Sequence, residues 1–184
     1  MRLFLPLFAL LALAASPDYI SASRKVKRIE SGKSPAKSRI SFPPAEISAF
    51  LSAKAAEKFP GAVRNPSVQL GPGTVAGKAM VDFLKLSHSQ GEEPGIILSH
   101  LLQGARPVEV FVRVHSLPGG RGQVDLERVT VSGIAISGAA LDFLLRHFLL
   151  HYYPDAKIGT PFEWGYRIEK MELSAAGLRV TIHE

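Results

Sequence analysis

Residues 107–136 read PVEVFVRVHSLPGGRGQVDLERVTVSGIAI. In the first half, Val108, Val110, Val112 and Val114 fall on one side of an extended chain, and Glu109, Phe111, Arg113 and His115 fall on the other. Strict period-two alternation in β-branched residues marks a half-buried antiparallel strand. The segment Pro118-Gly119-Gly120-Arg121-Gly122 turns the chain, and residues 123–136 return along it, with Gly133 interrupting the return strand late. A fold built around this hairpin is an antiparallel-sheet fold.

The same punctuation recurs on both sides. Upstream, residues 68–70, the turn Gly71-Pro72-Gly73 and residues 75–86 make a second hairpin, in which Gly77 suggests a bulge or a close approach by another element. Downstream, residues 166–173, the turn Ala175-Ala176-Gly177 and the cleanly alternating residues 178–182 make a third.

Helical periodicity separates the hairpins. Pro43-Pro44 suits a first helical turn, and Glu46 complements the N-terminal dipole. Behind them Ile47, Phe50, Leu51, Ala55 and Phe59 share one face until Pro60-Gly61 stops the helix. From Ser137-Gly138 onward, Leu141, Leu144, Leu145, Phe148, Leu149 and Tyr152 form a broad apolar stripe, with Phe143 beside it and Pro154 as its end. Residues 87–95 read as a polar loop and 96–102 as a short apolar helix closed by Gly104. The order is helix–hairpin, short helix–hairpin, helix–hairpin. The expected class is α+β: a curved antiparallel β-sheet of about six strands packed against two long amphipathic helices.

The N-terminal segment is different in kind. Met1-Arg2 precedes an apolar run over residues 3–13 that exits through Ala14-Ala15, the pattern of a secretory signal peptide rather than of a membrane span. Residues 16–41 are rich in Ser, Lys and Arg with scattered apolar positions, and read as a basic disordered linker. The division expected is a signal peptide over 1–15, the linker over 16–41 and a single α+β domain over 42–184. Charge follows it. Residues 1–41 hold eight basic and two acidic groups, the whole net charge of +6, and residues 42–184 hold 14 of each. The high isoelectric point belongs to the arm, so the neutral domain offers no surface for nucleic acid. Within the arm, Arg24, Lys25, Lys27 and Arg28 are candidates for peripheral contact with an anionic membrane surface, or simply solvated charges.

Composition removes several chemistries. There is no cysteine, so disulfides, thiol catalysis and Fe–S clusters are excluded, and no lipidated-cysteine anchor is expected. His147 and His151 stand four apart on a helix, but Phe148 occupies the position where a zincin carries glutamate, and no third ligand follows. No metal, cofactor or catalytic residue is assigned. There is no Gly-x-Ser-x-Gly elbow, and both glycine-rich stretches lie between strands rather than ahead of a helix. The expectation is a protein that is not an enzyme. Phe111, opposite the valines of its strand, either faces a ligand or membrane or is an ordinary exposed aromatic.

Taken in order, several segments resemble one family. The helix Phe42-Pro43-Pro44-Ala45-Glu46-Ile47-Ser48-Ala49-Phe50-Leu51, the strand Gly77-Lys78-Ala79-Met80-Val81-Asp82-Phe83, the strand over residues 124–133 and the turn Pro161-Phe162-Glu163-Trp164-Gly165-Tyr166-Arg167-Ile168 are similar to motifs of small exported domains of the tubular lipid-binding superfamily, akin to its LmeA-like and YceB-like envelope members. The resemblance covers residues 42–184. It implies a tubular lipid-binding (TULIP-like) fold, a curved sheet around a long helix with an apolar groove for acyl chains, and no catalytic residues. The expected function is an exported, non-enzymatic domain that binds a lipid or other apolar small molecule between helix and sheet in the periplasm or outside the cell, soluble once the leader is removed. Periodicity gives Phe50, Leu51, Phe83, Phe111, Leu144 and Phe148 as the candidate lining. The alternative is an envelope scaffold with a filled core that binds protein partners through its strand edges.

Overall fold

The computed structural model describes residues 16–88 and 103–184. The expected leader (1–15), the helix expected over 96–102 and most of the loop before it lie outside the described residues. The elements, in chain order, are α1 (Pro17–Glu30), β1 (Arg39–Phe42), α2 (Pro44–Lys58), β2 (Val63–Gly71), β3 (Thr74–Asp82), α3 (Phe83–His88), β4 (Ala105–Leu117), β5 (Arg121–Val131), β6 (Ile134–Ile136) and α4 (Gly138–Leu144). A π-helical turn (Leu145–Leu149), α5 (Leu150–Tyr152), β7 (Phe162–Glu163), β8 (Ile168–Ser174) and β9 (Gly177–Ile182) complete the chain.

The protein is α+β, with a six-stranded antiparallel sheet in the order β2-β3-β4-β5-β6 and β7 paired to β5. A separate three-stranded antiparallel sheet has the order β1-β9-β8. The β4–β5 pairing sets Val108, Val110, Val112 and Val114 opposite Val131, Val129, Leu126 and Val124. A bulge absorbs Glu127 between the Phe111–Arg128 and Val112–Leu126 pairs and keeps the apolar residues on one face. Through the β3 register, Val75, Gly77, Ala79 and Val81 extend that face, and Val68 and Leu70 extend it into β2. The opposite face is polar. Lys78–Glu109 (2.8 Å), Arg113–Glu127 (2.5 Å) and His115–Asp125 (3.0 Å) form cross-strand pairs there. Phe111 belongs to this polar face, with the Arg128 guanidinium 5.7 Å from its ring centre. It is therefore an aromatic among charges, not part of an apolar lining. Gly77 marks neither a bulge nor a close approach, since β2–β3 pairing is regular there and a Cβ would meet nothing among the described residues.

Two clusters of buried side chains sit at opposite ends of the large sheet. At one end Phe83 and Val131 are buried with Val81, Val108, Ile136, Leu144 and Phe148 around them, so α3, α4 and the π turn cover the sheet there. At the other end the small sheet crosses the hairpin tips. Leu173 accepts a backbone hydrogen bond from Gly73 N (3.2 Å), and Ser116 Oγ donates to Met171 O (2.6 Å) while accepting from Met171 N (2.9 Å). The small sheet presents Ile40, Phe42, Leu178, Val180, Ile182, Ile168 and Met171 to α1 and α2. α2 lies along β2, where Ser52 Oγ donates to Pro66 O at 3.4 Å. Its last turn places Lys58 Nζ 3.7 Å from the Tyr153 ring centre.

Four sequence expectations are corrected. Residues 17–30, read as disordered linker, form α1. Ser16 caps it by accepting from Tyr19 N at 3.2 Å, and Ala22, Val26 and Ile29 recur at helical spacing to make a narrow apolar stripe that docks on α2 and the small sheet. Residues 39–42, placed mostly in the same linker, are β1, the edge of that sheet. The strand expected over 75–86 ends at Asp82, whose Oδ1 accepts from Lys85 N at 3.1 Å and starts α3. Of the two long helices expected, α2 is continuous, whereas the helix over 137–152 is interrupted by the π turn.

Candidate functional site

Between α1, α2 and the small sheet lies a pocket of about 280 Å3 whose walls carry almost no polar surface. Ala22, Val26 and Ile29 come from α1, Phe42 from β1, Ile47, Phe50 and Leu51 from α2, and Ile168, Met171, Leu178 and Val180 from β8 and β9. The volume is near the lower end of small-molecule sites, roughly 300–1,000 Å3, and nearly twice the roughly 150 Å3 of a dry cavity that admits benzene. Leu51 is 41% exposed and stands at the rim. Ala22 and Val180 are 1% and 2% exposed and form the floor.

Along one side of the pocket α1 packs against α2. Glu46, only 8% exposed, anchors the two helices. Lys25 Nζ donates to Glu46 Oε2 at 2.6 Å, to Oε1 at 2.8 Å and to Ser41 O at 2.8 Å, and Ser21 Oγ donates to Oε1 at 2.7 Å. Lys25 also lies 5.5 Å from the Phe42 ring centre. The carboxylate thus accepts three hydrogen bonds from two donors, Lys25 and Ser21, the pairing that a buried charge requires.

On the side of β8, the turn into the strand is strained. Gly165, Tyr166 and Arg167 have φ of 74°, 48° and 60° in succession, and a non-glycine residue in this left-handed region costs about 1–2 kcal/mol. Backbone hydrogen bonds from Ile168 N to Gly165 O (2.9 Å) and from His183 N to Arg167 O (2.7 Å) hold the turn. Its outcome is that Tyr166, 57% exposed, stands at the pocket wall. The neighbouring Trp164 stacks edge-on against Phe162 at 5.1 Å and covers Gly122 so closely that any side chain there would overlap the indole.

Of the six candidate lining residues, Phe50 and Leu51 line this pocket. Phe83, Leu144 and Phe148 come together in the other cluster, where the Phe83 and Phe148 rings meet edge-to-face at 5.1 Å. Phe111 joins neither. The sequence reading missed Ala22, Val26, Ile29, Phe42, Met171, Leu178 and Val180. The α1 stripe and the alternation of β9 were the signals that could have found them.

The basic residues divide as well. Lys25 faces inward to Glu46, while Arg24, Lys27 and Arg28 are exposed and pair with no carboxylate among the described residues. A second cleft of about 480 Å3 between α1 and α2, of mixed polar and apolar lining, is bordered by Tyr19, Ser23, Arg24, Lys27 and Lys54. Val26, Glu30 and Phe50 line both this cleft and the apolar pocket. The two spaces therefore adjoin.

The His147 ring stacks on Phe143 with centroids 3.9 Å apart, and its Nδ1 lies 3.0 Å from Phe143 O. No cluster of three or more metal-ligating side chains occurs among the described residues, and no described helix is long and apolar enough to cross a membrane. Comparison with known proteins finds no matching family model, and no significant match to a curated protein or to a solved structure.

Proposed function

We propose that this protein is an exported, non-enzymatic carrier or sensor of an apolar tail, held between α1, α2 and the small sheet in the cell envelope. The pocket between them carries the reading: its walls are almost wholly apolar, with Glu30 the one charged residue lining it, and it is open at Leu51 and Tyr166. Hydrophobic transfer at roughly 25 cal/mol per Å2 of buried apolar surface supplies the affinity. A long helix laid along an antiparallel sheet with one apolar face is compatible with the tubular lipid-binding resemblance, and the leader-like residues 1–15 with export. The exposed cations Arg24, Lys27 and Arg28 on α1 suit a protein that meets an anionic membrane surface.

The test is extraction of the natively purified protein with organic solvent and mass spectrometry of the extract. Wild type carries monoacyl material, and Leu51→Trp, which fills the rim at an already exposed position, carries much less. An empty wild type that also fails to take up added palmitate overturns the reading and leaves an interaction scaffold with a filled core.

A further inference from the structure

The apolar pocket accounts for a tail, but the cleft that adjoins it across Val26, Glu30 and Phe50 is bordered by cations. Along α1, Arg24 and Lys27 stand one turn apart at the cleft's edge, and Lys54 of α2 faces them. Lys54 is engaged by Glu57 at 2.7 Å. Arg24 and Lys27 have no acidic partner among the described residues. Glu30 is the one acid lining the cleft, leaving a local excess of positive charge. Ser23, next to Arg24 and one turn before Lys27 on the same helix, lines the cleft, and its Oγ is buried with no hydrogen-bond partner among the described residues. Tyr19 stacks against Phe50 at 6.2 Å, so an aromatic pair borders the passage between cleft and pocket.

We infer that the ligand class is a single-tailed anionic amphiphile. The tail enters the apolar pocket past Phe50 and Val26, and a carboxylate or phosphate head rests in the cleft against Arg24 and Lys27, with Ser23 Oγ as a further donor. The inference rests on the pocket's binding a tail and adds the sign of the head. The chemistry favours it. A head group at the pocket's edge must stay solvated or paired, and two unpaired cations within one helical turn attract an anion with a strength that falls as salt rises. A zwitterionic or neutral head finds no such complement. The pocket's volume of about 280 Å3 argues against a two-tailed lipid.

The experiment is a binding titration of the full chain, by tryptophan fluorescence or calorimetry, with amphiphiles sharing one acyl chain and differing in head: a fatty acid, a monoacyl phosphate, a monoacyl phosphocholine and a monoacyl sugar. The two anionic heads bind about tenfold tighter than the phosphocholine and the sugar at low salt, and the gap narrows at 0.5 M salt. Arg24→Gln/Lys27→Gln closes most of the gap without changing affinity for the sugar head, and Ser23→Ala weakens the anionic ligands alone. Both positions of the double variant are exposed, and circular dichroism reports whether it still folds. A preference for the phosphate over the fatty acid identifies a phosphate head, and equal binding a general anion site. Equal affinity for all four heads overturns the anionic inference while leaving the tail pocket in place. Absence of binding by any of them overturns both.

Discussion

Replacing Lys25 by methionine tests whether α1 belongs to the folded protein. In a solvated linker the change is neutral, since exposed charged residues contribute within about 0.5 kcal/mol. In this structure Lys25 supplies three of the short contacts around an anchor, two to Glu46 and one to Ser41 O. Methionine keeps the stem against Phe42 and removes only the ammonium. Glu46 then retains Ser21 as its donor and sits in a site where its side chain is 10% exposed. Breaking a fully buried pair costs about 3–5 kcal/mol. Lys25 is 30% exposed, so water reaches part of the vacated space and the expected loss is about 2–3 kcal/mol. Urea unfolding followed by circular dichroism reads it directly, with Lys27→Met as the exposed control. In Lys25→Met/Glu46→Gln, much of the loss returns because the orphaned charge is gone. A cost below about 0.5 kcal/mol for Lys25→Met, matching Lys27→Met, refutes the anchoring of α1.

Three further outcomes follow from the same geometry. Ile182→Ala, at 1% exposure in the small sheet, costs about 2–5 kcal/mol in urea unfolding, whereas Ile20→Ala, at 46% exposure, costs far less. Tyr166→Gly relieves a left-handed residue at an exposed position, so stability rises by about 0.5–1 kcal/mol after the greater freedom of the unfolded glycine is counted, while tail binding weakens; a stability loss contradicts this account of the turn. On the outer face of the small sheet, the hydrogen bond and charge of Lys170, helped by Arg179 and Arg39, hold the Glu172 carboxyl below its ordinary range. A depressed carboxylate contributes stability that is present above its unfolded value and lost as pH falls through the folded one, so the gap between wild type and Glu172→Gln closes on the acid side in pH-dependent unfolding and is full at neutral pH.

The β4–β5 hairpin is legible because β4 alternates valines with mostly polar residues, although the Glu127 bulge shifts the inward positions of β5 from Val124 and Leu126 to Val129 and Val131. The β8–β9 hairpin and α2 are legible for the same reason. α1 is not, because only Ala22, Val26 and Ile29 mark its inner face among many basic residues. So narrow a stripe gives little signal, and the helix depends on docking rather than on propensity. The candidate lining was divided for a related reason. Periodicity says that Phe50, Phe83 and Phe148 turn inward, yet nothing local tells a residue which of two clusters it will join. Phe111 illustrates the converse: alternation correctly sets it apart from the valines, and only the register with Arg128 shows it lying among charges. The π turn that breaks the helix after Leu144 left no mark in the sequence pattern.

The central claim is that a tail lies between α1, α2 and the small sheet. The most direct measurement is isotope-filtered NMR of the protein labelled at methyl groups, with palmitate added. Intermolecular contacts from the acyl chain to the methyls of Ile29, Met171, Leu178 and Val180, absent in Leu51→Trp, are the result predicted. Contacts confined to the valine face of β4, at Val110 and Val112, or no contacts at saturating palmitate, would contradict it.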